Sequence, residues 1–156
     1  MVVTLGGMSL EDDIRQQKFN SEHHKAAINI LYTGAWVYSG NVARLKKHNI
    51  TPEQYNVLRI LRGSYPNPLM LADITSRMID KSSNATRLVE KLRQKGFVKR
   101  ELCESNRRQV DVSITEKGLN LMKSVDSEES EWVETFKNIS KSEAIELNRL
   151  LDKLRG

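Results

Sequence analysis

Apolar residues fall on helical spacings along most of the chain, and on strand spacing in one place. Leu71, Ile74 and Met78 lie at i, i+3 and i+7, which predicts a short helix over 71–78. A break at Ile79-Asp80 follows, where Asp80 or Ser82 can cap a new helix by accepting a bond from a free N–H. The next helix is expected over 82–95, with Ala85, Leu88, Val89 and Leu92 as its apolar stripe and Gly96 as its left-handed stop. Its other face carries Ser83, Asn84, Thr86, Arg87 and Lys91. Two helices joined by a short turn, the second polar and basic outside, form the pattern of a helix-turn-helix. Directly afterwards the period changes to two. Val98, Arg100 and Leu102 alternate with Lys99, Glu101 and Cys103, and Val110, Val112 and Ile114 alternate with Gln109, Asp111 and Ser113. The loop between these strands ends in Arg107-Arg108, so the hairpin is a basic wing.

Helices flank this centre. A short one is expected over 9–18 and a long one over 22–48, where Ala27, Ile30, Leu31, Gly34, Ala35 and Tyr38 keep one side small or apolar. Thr51-Pro52-Glu53-Gln54 is a helix start, with Thr51 as cap, Pro52 at the first helical position and Gln54 completing a capping box. That helix turns Tyr55, Leu58 and Leu61 inward and stops at Gly63. After the wing, Thr115 caps a long helix with an early stripe, Leu119, Met122 and Val125, and a late one, Trp132, Val133 and Phe136. The acidic run between them, 126–131, reads as a solvated helix face. Ser140 and Glu143 form another capping box ahead of a last helix that carries Ala144, Leu147, Leu151 and Leu154 on one side.

Charge sharpens the picture. From Arg77 to Arg108 there are ten Lys and Arg against four Asp and Glu, a net +6, while all 156 residues together carry +5. A basic patch on a near-neutral body is the footprint of nucleic-acid binding. Hydrophobic residues are 38% and charged ones 29%, enough for one modest core. No window is apolar enough to span a membrane, and the first residues lack the pattern of a signal peptide. One cysteine, Cys103, makes no internal disulfide, so a reducing, cytoplasmic setting is expected. His23, His24 and His48 do not assemble a metal site, and no cofactor motif is present. There is no Gly-rich phosphate loop, nucleophile elbow or carboxylate pair, so enzyme chemistry is not expected.

The order Leu71–Met78, Ser82–Leu92, Lys95–Arg100, Asn106-Arg107-Arg108, Val112–Thr115 and Gly118 resembles the multiple-antibiotic-resistance regulator (MarR) family. Asn106 stands where that family usually has Asp. The resemblance covers about residues 51–118. It implies a mainly α fold with a small β-hairpin wing, a winged helix-turn-helix flanked by N- and C-terminal dimerisation helices. The division expected is a tail and dimerisation helix over 1–50, the DNA-binding region over 51–115, and C-terminal dimerisation helices over 116–156. It also implies a homodimeric transcription regulator, a repressor, on pseudo-palindromic double-stranded DNA. Ser82, Ser83, Asn84, Thr86, Arg87 and Lys91 are then the candidate groove residues, and Arg107 and Arg108 the wing contacts. Relatives of this kind take aromatic effectors, for which Tyr32, Trp36 and Tyr38 are candidates. The competing reading is a winged-helix protein-interaction adaptor that does not read DNA sequence.

Overall fold

The computed structural model describes residues 9–102 and 110–156. The chain divides into two units, one ending at Ala43 and one running from Arg44 to Gly156.

In the first unit, α1 (Leu10–Asp13) starts on Ser9, whose side chain and that of Asp12 form a reciprocal capping box. The helix expected to reach residue 18 stops early because Arg15 adopts a left-handed φ of 53°, which a right-handed helix cannot continue through. The long helix α2 (Glu22–Lys46) forms as expected, two residues shorter at its end. Lys25 on α2 pairs with Glu11 on α1 at 2.5 Å.

The second unit holds the core. The Thr51 capping box is present, with the Thr51 side chain accepting from the Gln54 N–H, and it starts α3 (Pro52–Ser64). Then come β1 (Leu69–Met70), α4 (Leu71–Arg77), α5 (Ala85–Gln94), β2 (Val98–Leu102), β3 (Val110–Ile114), α6 (Glu116–Asp126), α7 (Glu129–Glu134) and α8 (Lys141–Arg155). The strands form an antiparallel sheet in the order β1-β3-β2. Strand β1 was not foreseen: its two residues pair Leu69 with Val112 and Met70 with Asp111. In the hairpin, Val98 faces Ile114, Arg100 faces Val112 and Leu102 faces Val110. Val98, Val112 and Ile114 are buried, whereas Leu102 is exposed, so the hairpin leaves the core within two registers.

That core joins Leu45 and Ile50 to Val57, Leu58 and Leu61 of α3, Ile74 of α4, and Ala85, Val89 and Leu92 of α5. Met78, the sheet residues Val98, Val112 and Ile114, and Met122 and Val125 of α6 belong to it too. The single long helix expected after the wing is broken into α6 and α7 at Ser127 and Glu128. Glu128 leaves helical geometry (φ −104°, ψ 3°), and its carboxylate pairs with Lys47 at 2.9 Å and His48 at 3.3 Å. A tertiary anchor thus replaces the solvated helix face. Arg44 lies over the rings of both Tyr55 and Trp132, 5.2 Å from each centroid, and fixes α7 to α3. Helix α8 starts on the Ser140–Glu143 capping box and buries no residue.

Candidate nucleic-acid interface

The segment joining α4 to α5 is built by local hydrogen bonds. Met78 is buried at the end of α4, and the next amide, Ile79 N–H, donates to Asn56 Oδ1 of α3 at 2.9 Å. Asp80 then accepts from the Ser82 N–H at 2.8 Å, the Ser82 hydroxyl at 2.7 Å and the Ser83 hydroxyl at 2.8 Å. The Ser82 hydroxyl, followed by that of Ser83, holds the Asp80 carboxyl below its ordinary range. An aspartate that satisfies the backbone this way offers a turn in place of a helix. Helix α5 therefore begins at Ala85 rather than Ser82, and Asn84 is its cap, with Oδ1 accepting from the Arg87 N–H at 2.9 Å. Neither Asp80 nor Ser82, the caps expected, takes that role.

The other end of α5 is held as firmly. Gly96 has φ 76°, and the Phe97 N–H reaches back to the Leu92 carbonyl at 3.0 Å, the closing bond of a Schellman turn. Lys95 Nζ bonds Asn49 O at 2.5 Å and Gln54 Oε1 at 3.2 Å. Burial, then the nearby charge of Lys91, lowers the Lys95 ammonium below its ordinary pKa. From α6, Lys117 Nζ donates to Lys95 O at 2.8 Å and the Thr115 hydroxyl to Gly96 O at 2.7 Å.

Between these ends α5 buries Ala85, Val89 and Leu92 and turns Thr86, Arg87, Lys91 and Gln94 outward. A recess of about 290 Å³ on one flank is lined by Thr51, Glu53 and Gln54 of the α3 start and by Ser83, Asn84, Arg87, Leu88 and Lys91. A broader hollow of about 700 Å³ on the other is lined by Asn84, Thr86, Arg87, Glu90, Lys91, Gln94 and Arg100. The helix is thus a ridge between two furrows, with Asn84, Arg87 and Lys91 bordering both. Glu90 spends its charge along the helix, accepting from Arg93 Nε at 3.0 Å and Nη2 at 2.8 Å. Arg93 most of all, then Gln94 and the charge of Arg100, lowers the Glu90 carboxyl. Among the described residues neither Arg87 nor Lys91 has an ion-pair partner, so both charges stay uncompensated on the ridge.

The structure brings Ser83, Asn84, Thr86, Arg87 and Lys91 together along this ridge, while Ser82 sits in the Asp80 turn and lines neither furrow. Arg107, Arg108 and Cys103 lie outside the described residues. Arg100, Glu90, Gln94, Glu53 and Thr51 border the ridge and were missed. Arg100 left a signal: it is an arginine on the same strand parity as Val98. Elsewhere, Tyr32 is half-buried, and burial, then Asp13, raises its hydroxyl pKa. Trp36 and Tyr38 are exposed at 43% and 50%. Tyr32 and Trp36 are one helical turn apart, whereas Tyr38 is two residues on from Trp36 and points to another side of α2.

Comparison with known proteins agrees with this geometry. The MarR family pattern matches residues 50–110. The HTH-type transcriptional regulator MgrA of Staphylococcus aureus is 30% identical over 117 residues, which cover 75% of this chain and 76% of that protein. The chain belongs to the MarR family. It is a DNA-binding transcription regulator and not an enzyme. It spans from 66% to 76% of the length of its sequence relatives. Solved structures share its fold. The S. aureus MepR–DNA complex has a TM-score of 0.72 at 20% identity, covering 88% of this chain and 97% of that one. Bordetella bronchiseptica BpsR, whose DNA binding is regulated by 6-hydroxynicotinic acid, has a TM-score of 0.66 at 20% identity, covering 82% and 99%. Among the described residues, no helix is long and apolar enough to cross a membrane.

Proposed function

We propose that this MarR-family chain acts as a homodimeric repressor on a pseudo-palindromic operator, with one α5 in each of two major grooves. The observation that carries this reading is the α5 ridge, capped at both ends, with Arg87 and Lys91 uncompensated on it. Arg87 suits the O6 and N7 of guanine. Asn84 has Oδ1 committed to its cap, so its amide nitrogen is the group left to donate to a base acceptor. Thr86 and Ser83 add short polar contacts, and Lys91 and Arg100 meet the flanking phosphates, while Ser82, whose N–H and hydroxyl both go to Asp80, holds the turn. Arg107 and Arg108 grip from the wing loop. The MepR–DNA complex supports the placement by likeness of fold.

Dimerisation is supported by apolar surface left uncovered at both termini. On α8, Ile145, Leu147, Leu150 and Leu154 are 48–68% exposed, and on α2 Leu31 is 73% exposed. A second copy removes that surface from water, at roughly 25 cal/mol per Å². An aromatic acid near Tyr32 and Trp36, which share a side of α2 that Tyr38 does not, releases the operator if it binds one spacing of the two DNA-reading lobes better than the other. The regulation of BpsR by 6-hydroxynicotinic acid supports that part.

The test is selection of bound sequences from a random duplex pool, then titration of the selected and a random duplex at two salt concentrations. The expected site is a two-fold repeat with half-sites about 34–36 Å apart, one helical turn. Arg87→Ala is expected to lose roughly 10-fold or more on the selected duplex and little on the random one. Arg100→Ala weakens both and makes the salt slope shallower. Failure to retain any duplex at low salt overturns the reading in favour of the protein-interaction adaptor.

A further inference from the structure

Ile79 is 82% exposed, the most exposed large apolar side chain among the described residues. Single exposed apolar residues are common, but this one has three unusual features. It stands in the turn that leads into the capped start of α5, the end of a recognition helix that approaches base edges. Its backbone is anchored, because its N–H donates to Asn56 Oδ1 at 2.9 Å and the next residue, Asp80, is tied to Ser82 and Ser83. Its neighbours Asp80, Lys81 and Ser82 are polar and exposed, so no apolar surface on the turn covers it.

These features narrow what Ile79 can touch. Its amide is already given to Asn56, so it has no donor for a phosphate. Asp80 beside it bears a negative charge, with its carboxyl kept ionised by the Ser82 and Ser83 hydroxyls, and that charge repels the sugar-phosphate backbone. What remains is apolar contact, and the major groove offers one apolar group on base edges, the C5-methyl of thymine. An anchored side chain also loses little freedom on docking.

We infer that Ile79, in the turn before α5, is a specificity-determining residue that reads a thymine C5-methyl group in each half-site. The inference rests on the proposed operator binding and names one of the groups it recognises. One methyl buried in each half-site is worth about fourfold in affinity, so about 15-fold across a symmetric site.

The whole 156-residue chain is titrated with its selected duplex and with duplexes in which each thymine in turn, symmetrically in both half-sites, is replaced by deoxyuridine. One replacement is expected to weaken the wild type by about 15-fold. Ile79→Ala is expected to bind the thymine duplex about as weakly as the wild type binds that uracil duplex, and to be indifferent to the replacement. Ile79→Leu keeps part of the preference. Since the side chain is exposed, Ile79→Ala should melt as the wild type does, and its affinity for random duplex reports that the basic ridge is intact. If Ile79→Ala retains the same loss on every uracil duplex as the wild type, Ile79 reads no methyl and the inference falls while operator binding stands. If the wild type does not distinguish the selected from the random duplex, operator reading itself fails, and this inference with it.

Discussion

Gly118 is the third residue of α6, and its N–H donates to the Thr115 hydroxyl at 3.1 Å. A Cβ placed there meets Ile114 Cγ1 at 2.8 Å and the Phe97 carbonyl carbon at 3.2 Å, and falls inside the van der Waals shell of the Phe97 oxygen. That oxygen has nowhere to go. It accepts the Thr115 N–H at 3.0 Å, and the Phe97 N–H closes the end of α5 on Leu92 O. Two effects oppose each other in Gly118→Ala. Alanine gains about 1 kcal/mol of helix propensity over glycine. Forcing an extra carbon against fixed backbone costs typically 1–3 kcal/mol, and sits at the upper end where the neighbour is a carbonyl rather than a flexible side chain. The clash wins by about 1–2 kcal/mol. For a chain of this size each kcal/mol moves the melting temperature by roughly 2–4 °C, so Gly118→Ala should melt about 2–8 °C lower.

Gly63 supplies the control. It lies near the end of α3, and a Cβ there meets no atom within 4 Å. Gly63→Ala should therefore gain propensity without a clash and melt about 2 °C higher. Both variants are followed by circular dichroism at one chain concentration, because association shifts the midpoint. If Gly118→Ala melts at or above the wild type, the close approach of α6 to the end of α5 is not as described. If the two glycine variants move together, helix propensity rather than packing governs both.

Three further outcomes are expected. Asn84→Ala should cost about 1 kcal/mol in a urea titration, while Asn84→Ser, which can still cap α5, should cost little. The double substitution Leu147→Asp and Leu151→Asp should convert a particle of about twice the 17.9 kDa chain mass to one chain mass in sedimentation, or unfold it. Glu128 is held below its ordinary 4.5, first by Lys47 and also by His48, so its contribution is present above the unfolded pKa and is lost as pH falls through the lowered one. Denaturant titrations from about pH 6 down to pH 3 should accordingly show a shallower acid limb in Glu128→Gln than in the wild type.

The elements legible in the sequence were those whose ends are closed by neighbours in the sequence. The Thr51–Gln54 and Ser140–Glu143 boxes each need only residues three apart, and both form. Gly96 likewise ends α5 with bonds to residues within five positions. What was misjudged depends on longer reach or on competition. Glu128 breaks the last long helix through partners 80 residues away, and β1 exists only because Val112 and Asp111 lie alongside it. Asp80 delayed α5 by competing for the very N–H groups that a helix start leaves open. In the interface, the polar face of α5 was readable from its period. The capping role of Asn84 was not, because a side chain on a helix and one at its cap look alike in a list of polar residues.

This displacement of the helix start changes what the ridge proposed to read DNA can present. Had α5 begun at Ser82, then Ser83, Asn84, Thr86 and Arg87 would all project from one regular helix as independent readers. With the start at Ala85, Ser82 and Ser83 hold Asp80, and Asn84 holds the Arg87 amide, so the leading edge is a braced turn. The back end is braced by Lys95, Thr115 and Lys117. Side chains at either end thus serve the geometry first. In the proposed complex the burden of distinguishing bases falls on the middle of the exposed face, where Thr86 and Arg87 have no competing structural duty among the described contacts. Under the proposed reading, a short face braced at both ends suits a dimer that sets two such faces one helical repeat apart, because the bonds at each end hold α5 against its own core.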